Sequence, residues 1–184
     1  MQTNIPTFDL DSVPAHHRDR VKALIPHPMV ADGYVHRQID GVSDFDVYAK
    51  AMVKRRNIML SGPTGASKTT SAWAFAAKYG LPFVVVECHA AMDVTQVLGK
   101  TIINPTSGLP EFVFGDAVLV ILYGGVLLID EINLAHPRVT GGFHQLLSVL
   151  RAMSLPEANM TIFASDNLLL MAAYNPRYTG TVKL

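Results

Sequence analysis

Cysteine is almost missing from this chain: its 184 residues include one, Cys88. That excludes an intramolecular disulfide framework and a cysteine-rich zinc site. Charge is scarce as well. Asp, Glu, Lys and Arg make up 16% of the residues, against a usual ~25%, and the 15 basic and 15 acidic side chains cancel. A neutral chain exerts no bulk pull on nucleic acid or anionic lipid. No apolar run is long enough to span a membrane. The longest, Ala117–Ile129, is broken by Gly124-Gly125 and falls short of the ~18 residues required. Met1–Arg20 is polar and mixed in charge, unlike a secretory signal. The expectation is a cytoplasmic protein with no membrane partner.

Apolar residues are plentiful at 49%, which excludes disorder. The length fits one domain. The apolar share combined with so little charge points to some surface covered by a partner. Residues 1–40 are punctuated by Pro6, Pro14, Pro26, Pro28 and Gly33. They read as an N-terminal arm or linker with one short helix around His17–Leu24. From residue 41 to 184 the pattern is that of a folded core.

Within that core, Asp44–Lys54 reads as a helix and Asn57–Ser61 as a strand. Lys68–Tyr79 is an alanine-rich helix stopped by Gly80. Phe83–Cys88 and Val126–Asp130 are apolar runs without alternation, as strands covered on both faces are. Asp93–Leu98 and Asp116–Tyr123 read as helices. Between them Thr101–Ile103 and Glu111–Phe114 flank a hairpin turn. Pro137–Leu150 reads as a helix, Met153–Ile162 as a second hairpin, and Asn167–Tyr174 as a fourth strand. Strands alternating with helices predict an α/β fold, a parallel sheet with helices on both faces. Ligands bind such sheets at the strand C-terminal ends.

Gly62-Pro63-Thr64-Gly65-Ala66-Ser67-Lys68-Thr69 follows a strand and opens a helix, the context of a phosphate-binding loop. A polyphosphate needs many donors, which successive backbone N–H groups and a helix N-terminus supply. Lys68 is placed to reach the β- and γ-phosphates, and the Thr69 hydroxyl to bind Mg²⁺. Thr70 completes the loop's helical end. The usual pattern has glycine immediately before the lysine; Ser67 stands here, and its Cβ calls for some adjustment of the backbone. Downstream, Val126–Ile129 delivers Asp130 and Glu131 to a strand end. Asp130 suits Mg²⁺, and Glu131 suits polarising the attacking water. Such a pair is common by itself and gains its weight from the loop upstream. Asn175, after the fourth strand, is placed to hydrogen-bond a γ-phosphate or the lytic water.

These three motifs in this order resemble the AAA+ ATPases: Walker A at Gly62–Thr69, Walker B at Leu127–Glu131, sensor 1 at Asn175. Val97-Leu98-Gly99-Lys100, Gly115-Asp116, Gly124-Gly125 and Asp130–Ala135 resemble the MoxR branch. That branch lies close to the AAA-5 (dynein-related) group and the cobalt/magnesium chelatase ATPase subunits. The resemblance covers about Tyr34–Gly180. It implies a P-loop NTPase three-layer αβα sandwich in which the Thr101–Phe114 hairpin is the helix-2 insert. It also implies ATP and Mg²⁺ as ligands, ATP hydrolysis, homo-oligomeric rings, often hexamers, and a remodelled or chaperoned partner protein. Relatives in this clade tolerate Ala or Ser before the lysine. Their domain continues past sensor 1 with a fifth strand, an arginine finger, a helical lid and sensor 2, which Pro176–Leu184 cannot hold. The expectation is therefore a fragment or a truncated form, with Asn57–Ser61 as an unpaired edge and weak turnover in isolation. Two alternatives are a regulatory nucleotide-binding module with little turnover and a nucleic-acid-linked GTPase motor subunit. The neutral charge speaks against the second.

Other residues read more plainly. Arg138, Arg151 and Arg177 are expected to be solvated, and none sits at the family's finger position. Tyr34–His36 falls where the family's N-terminal linker approaches adenine. His16-His17 reads as a solvated pair, and His89, His136 and His144 form no metal cluster. Cys88 and Trp73 are expected to pack in the core.

Overall fold

In the computed structural model, the structure describes residues 5–89, 92, 94–135 and 143–176. Four strands form the parallel sheet: β3 (Ile58–Ser61), β4 (Phe83–Glu87), β7 (Gly125–Asp130) and β10 (Leu168–Tyr174), in the order β3-β10-β7-β4. The two central strands are the most apolar. Leu168–Ala173 and Gly125–Ile129 are buried throughout, because helices cover both faces. β3 and β4 lie at the edges and are only partly covered.

One face carries α3 (Asp44–Val53) and α4 (Lys68–Tyr79), whose Phe45, Tyr48, Met52 and Phe75 pack with Leu128, Leu169 and Met171. The other carries α6 (Asp116–Tyr123) and the helical residues 143–147, whose Val118, Ile121, Phe143 and Leu146 pack with Leu127, Ile129 and Leu170. The result is the expected α/β sandwich of three layers. α4 ends because Gly80 takes the left-handed conformation at φ +61°, which lets Leu81 N–H return to the Ala76 carbonyl at 2.9 Å. At Gly125, φ is +131° and a Cβ would lie 2.4 Å from the Pro82 carbonyl oxygen, so only glycine fits where β7 begins.

Two antiparallel hairpins project from this core: β5 (Gly99–Ile103) with β6 (Pro110–Phe114), and β8 (Ala152–Leu155) with β9 (Met160–Phe163). Both match the expected hairpins within a few residues. The helix expected over Pro137–Leu150 is visible at 143–147; its earlier part, with His136 and Arg138, lies outside the described residues, as does Arg177.

Within residues 5–40, part of the segment packs on the core. α1 (Ala15–Ala23) lies on α6, with Val21 buried beside Val13 and Leu119. His17 is not solvated as expected: its Nδ1 is 2.8 Å from the Tyr123 hydroxyl and its ring packs on Phe114. Burial, then His16 and Arg20, lower the pKa of His17. Arg20 pairs with Asp116 at 2.6 Å. The short α2 (Met29–Asp32) packs on α4, and a small hairpin of β1 (Gln38–Ile39) and β2 (Val42–Ser43) leads into α3.

Trp73 also departs from expectation, being 44% exposed. The inward face of α4 is filled by Ala72, Phe75 and Ala76, which leaves the outward stripe for the indole. Arg151 is a strut. It donates to the Arg55 carbonyl at 2.9 Å and the Leu168 carbonyl at 2.8 Å, at the N-terminal end of β10.

Candidate functional site

Residues 62–67 leave β3 at its C-terminal end and turn directly into α4. Gly62 N–H bonds to the Tyr174 carbonyl at 3.3 Å, and Ala66 N–H to the Pro63 carbonyl at 3.2 Å, so the loop is anchored to β10 and folded on itself. Lys68 is buried beneath it. Its ammonium donates to the carbonyls of Gly62 at 2.8 Å and Pro63 at 3.1 Å. Ser71 ties the first turn of α4 to α3: its hydroxyl donates to the Lys68 carbonyl at 2.7 Å and lies 3.0 Å from the Tyr48 hydroxyl.

The sheet order explains what meets this loop. β10 lies between β3 and β7, so the residue after β10 and the end of β7 both converge on it. Thr69 Oγ1 donates to Asp130 Oδ2 at 2.6 Å across that gap. Asn175 is buried and its Nδ2 donates to Thr64 Oγ1 at 3.1 Å. Asp130 also accepts from Glu131 N–H at 2.9 Å, and Glu131 adopts a left-handed φ of +52°. Its Oε2 is buried without a hydrogen-bond partner. Thr64, Gly65, Ala66, Ser67, Lys68, Thr69, Thr70, Asp130 and Glu131 line one cavity of about 230 Å³. The structure thus brings together the residues singled out in the sequence, with Gly62, Pro63 and Asn175 at its margin.

A second hollow of about 200 Å³, between Leu98, Phe112 and Leu155, is apolar and lacks the donors that a polyphosphate needs. Among the described residues no group of three His, Cys, Asp or Glu side chains is arranged for a metal ion. Thr69 and Asp130 instead place one hydroxyl and one carboxylate side by side. That set fits Mg²⁺, which takes one or two protein oxygens and fills its remaining positions with phosphate and water.

Three further features shape the site. Ser67 sits at φ +51°, a left-handed conformation that costs a residue with a Cβ about 1–2 kcal/mol. Arg37, between α2 and β1, donates a guanidinium hydrogen bond to the Ala66 carbonyl. Cys88 directly follows β4, beside Asp130: its N–H bonds to the Asp130 carbonyl at 2.9 Å. Burial, then the Asp130 charge, push its thiol up to about 11, so it is an inert packed thiol, as expected. The missing glycine signalled Ser67 and the apolar run 83–88 signalled the packing of Cys88; the Arg37 contact had no signal in the sequence.

Comparison with known proteins agrees with this geometry. Residues 57–184 match the AAA domain of the dynein-related subfamily. An uncharacterised Staphylococcus haemolyticus protein is 34% identical over 148 residues, covering 77% of this chain and 56% of its own length. The uncharacterised Bacillus subtilis protein YojN is 32% identical over 136 residues, 73% of this chain and 45% of its own. The chain therefore spans about half the length of the curated relatives it matches. A Cytophaga hutchinsonii crystal structure, of a protein with a provisional ATPase designation, shares the fold at a TM-score of 0.62 and 20% identity, covering 92% of this chain and 47% of that one. With the phosphate loop, the strand-end acids and the family match over most of its length, the chain belongs to the dynein-related subfamily of AAA domains, an ATPase-type nucleotide-binding family.

Proposed function

We propose that this domain binds ATP with Mg²⁺ in the cavity between residues 62–70 and Asp130-Glu131 and hydrolyses it. One observation carries the reading: the Thr69 hydroxyl, in the first turn of α4, and the Asp130 carboxylate, at the end of β7, meet at 2.6 Å in the cavity that the buried Lys68 also lines. Lys68 and the loop amides hold the phosphates. Thr69 and Asp130 hold Mg²⁺, which when bound offsets the charge that develops on the transferred phosphoryl group. Glu131 takes the proton of the attacking water: it lines the cavity beside Asp130, and no hydrogen bond within the protein occupies its Oε2. Asn175 hydrogen-bonds the γ-phosphate or that water. The motifs shared with the MoxR branch support the further reading of a ring, often a hexamer, that remodels or chaperones a partner protein.

The test compares two variants. Lys68→Ala abolishes binding of a fluorescent ATP analogue; Glu131→Gln binds it normally and loses phosphate release. Unchanged affinity in Lys68→Ala would falsify the site assignment. A second reading, nucleotide binding with little turnover, is favoured by one observation: no arginine lines the cavity among the described residues. An arginine finger is worth about 10³–10⁵ in rate. Binding without phosphate release, at every protein concentration tried, decides for that reading.

A further inference from the structure

Resting on the reading of residues 62–69 as a phosphate cradle, we propose that Arg37 is a positioning residue for the cradle. It fixes the orientation of the Ala66–Ser67 peptide, and Ser67 is what makes the chain depend on it.

A phosphate loop works through its N–H groups, which must point inward together. In a planar trans peptide the C=O and the following N–H point in opposite directions. Whatever holds the Ala66 carbonyl outward therefore aims the Ser67 N–H inward. Arg37 does this: its guanidinium donates to that carbonyl.

The hold is needed because of the residue that follows. Ser67 has φ +51° and ψ +31°, which glycine adopts freely and a residue with a Cβ does not. Turning over the single 66–67 peptide would bring Ser67 φ to roughly −130° with ψ still at +31°, on the bridge side of the negative-φ regions and clear of the left-handed clash of its Cβ. That relieves the serine. It also turns the N–H away from the cradle and presents a carbonyl oxygen to the phosphates, where it repels them. Arg37 and the serine therefore pull the same peptide in opposite directions, and nucleotide binding needs Arg37 to win.

Arg37 is held in its own place by a built support. Its carbonyl accepts the Asp44 N–H at 2.9 Å, closing the β1–β2 hairpin. Asp44 is buried and accepts from the Tyr34 hydroxyl at 2.5 Å, and Tyr34 stacks on Phe45 with ring centroids 5.4 Å apart. The arginine thus reaches the loop from a fixed root on α3, which packs against α4 through the Phe45–Phe75 contact at 5.5 Å.

The experiment is a double-mutant cycle on affinity for a fluorescent ATP analogue with Mg²⁺, using Arg37→Ala, Ser67→Gly and the pair. In the wild-type background Arg37→Ala weakens binding about tenfold, the size expected for left-handed strain. With Ser67→Gly present, the same change costs less than about twofold, because glycine does not favour the turned-over peptide. Arg37→Lys, which keeps a donor, retains part of the affinity. Equal losses in both backgrounds overturn the inference, since they mean that Arg37 touches the nucleotide or supports the fold. No loss in either background overturns it as well. A readout without nucleotide separates this inference from the proposed function. The HN–Hα coupling constant of Ser67 rises in Arg37→Ala as φ leaves the left-handed region. An unchanged coupling contradicts the peptide's dependence on Arg37 even if ATP binds. A wild-type protein that binds no nucleotide contradicts the cradle reading itself.

Discussion

Lys68, Asp44 and Cys88 are three buried polar side chains whose surroundings set what each can do. Lys68 is satisfied by two carbonyls of its own loop, so Lys68→Ala leaves no unpaired charge in the protein. Its folding is retained in a thermal melt while nucleotide affinity is lost. Asp44 is harder to replace. Burial by itself pushes its carboxyl up, but hydrogen bonds from Tyr34, the backbone of Arg37, His36 and the backbone of Phe45 overcome this and leave its pKa lowered. A carboxyl with a lowered folded pKa contributes stability that is present above its unfolded pKa of about 3.9 and is lost as pH falls through its folded value. Asp44→Asn removes that contribution at neutral pH, so the melting temperature of the variant is lower at pH 7 and falls less on acidification. Equal acid sensitivity in variant and wild type contradicts this. Cys88, buried and raised to about 11, stays a neutral thiol. At pH 8 it is alkylated by iodoacetamide only after unfolding, as mass spectrometry of native and denatured samples would show.

Among the elements, β3 carries the phosphate loop and yet lies at the sheet edge. The described residues pair it with β10 alone, and Met59 on it is 58% exposed. An exposed apolar edge is a template for another strand. Met59→Lys is therefore expected to reduce self-association in sedimentation velocity and to leave the melting temperature within a degree or two, since the side chain contributes little to the core. β7 and β10 behave in the opposite way. Leu128 is fully buried between the layers, and Leu128→Ala is expected to destabilise by about 2–5 kcal/mol in a urea titration.

These elements were largely legible in the sequence because each carried a local signal: apolar runs for β7 and β10, Gly80 for the end of α4, and glycine, lysine and threonine between a strand and a helix. The site was legible for the same reason, since its residues cluster at strand ends that the α/β pattern brings to one rim. What was not legible depends on contacts between distant residues. Trp73 faces outward because alanines fill the inner face of α4, and Arg151 braces β10 because Arg55 and Leu168 offer carbonyls. Neither fact has a signature in the neighbouring sequence. The packing of α1 on α6 and the reach of Arg37 to Ala66 are of the same kind.

For the domain taken entire, the sheet has a chemical rim and a structural one. The C-terminal ends of β3, β10 and β7 gather the loop, Asn175 and the acids. At the other end, Arg151 donates to two carbonyls and Arg55 pairs with Asp166. Since no arginine lines the cavity among the described residues, turnover per protomer is expected to be slow in dilute solution and to rise with protein concentration if a neighbour supplies the missing cation. A rate per protomer independent of concentration contradicts assembly-dependent catalysis.

The most direct measurement is amide hydrogen exchange with and without a non-hydrolysable ATP analogue and Mg²⁺. Protection is expected at residues 64–70 and 130–131, with Asn175 following, and is expected to vanish when Lys68→Ala is tested. Protection confined to the apolar hollow beside Phe112, or to the opposite rim near Arg151, would contradict a triphosphate held between the loop and the two acids.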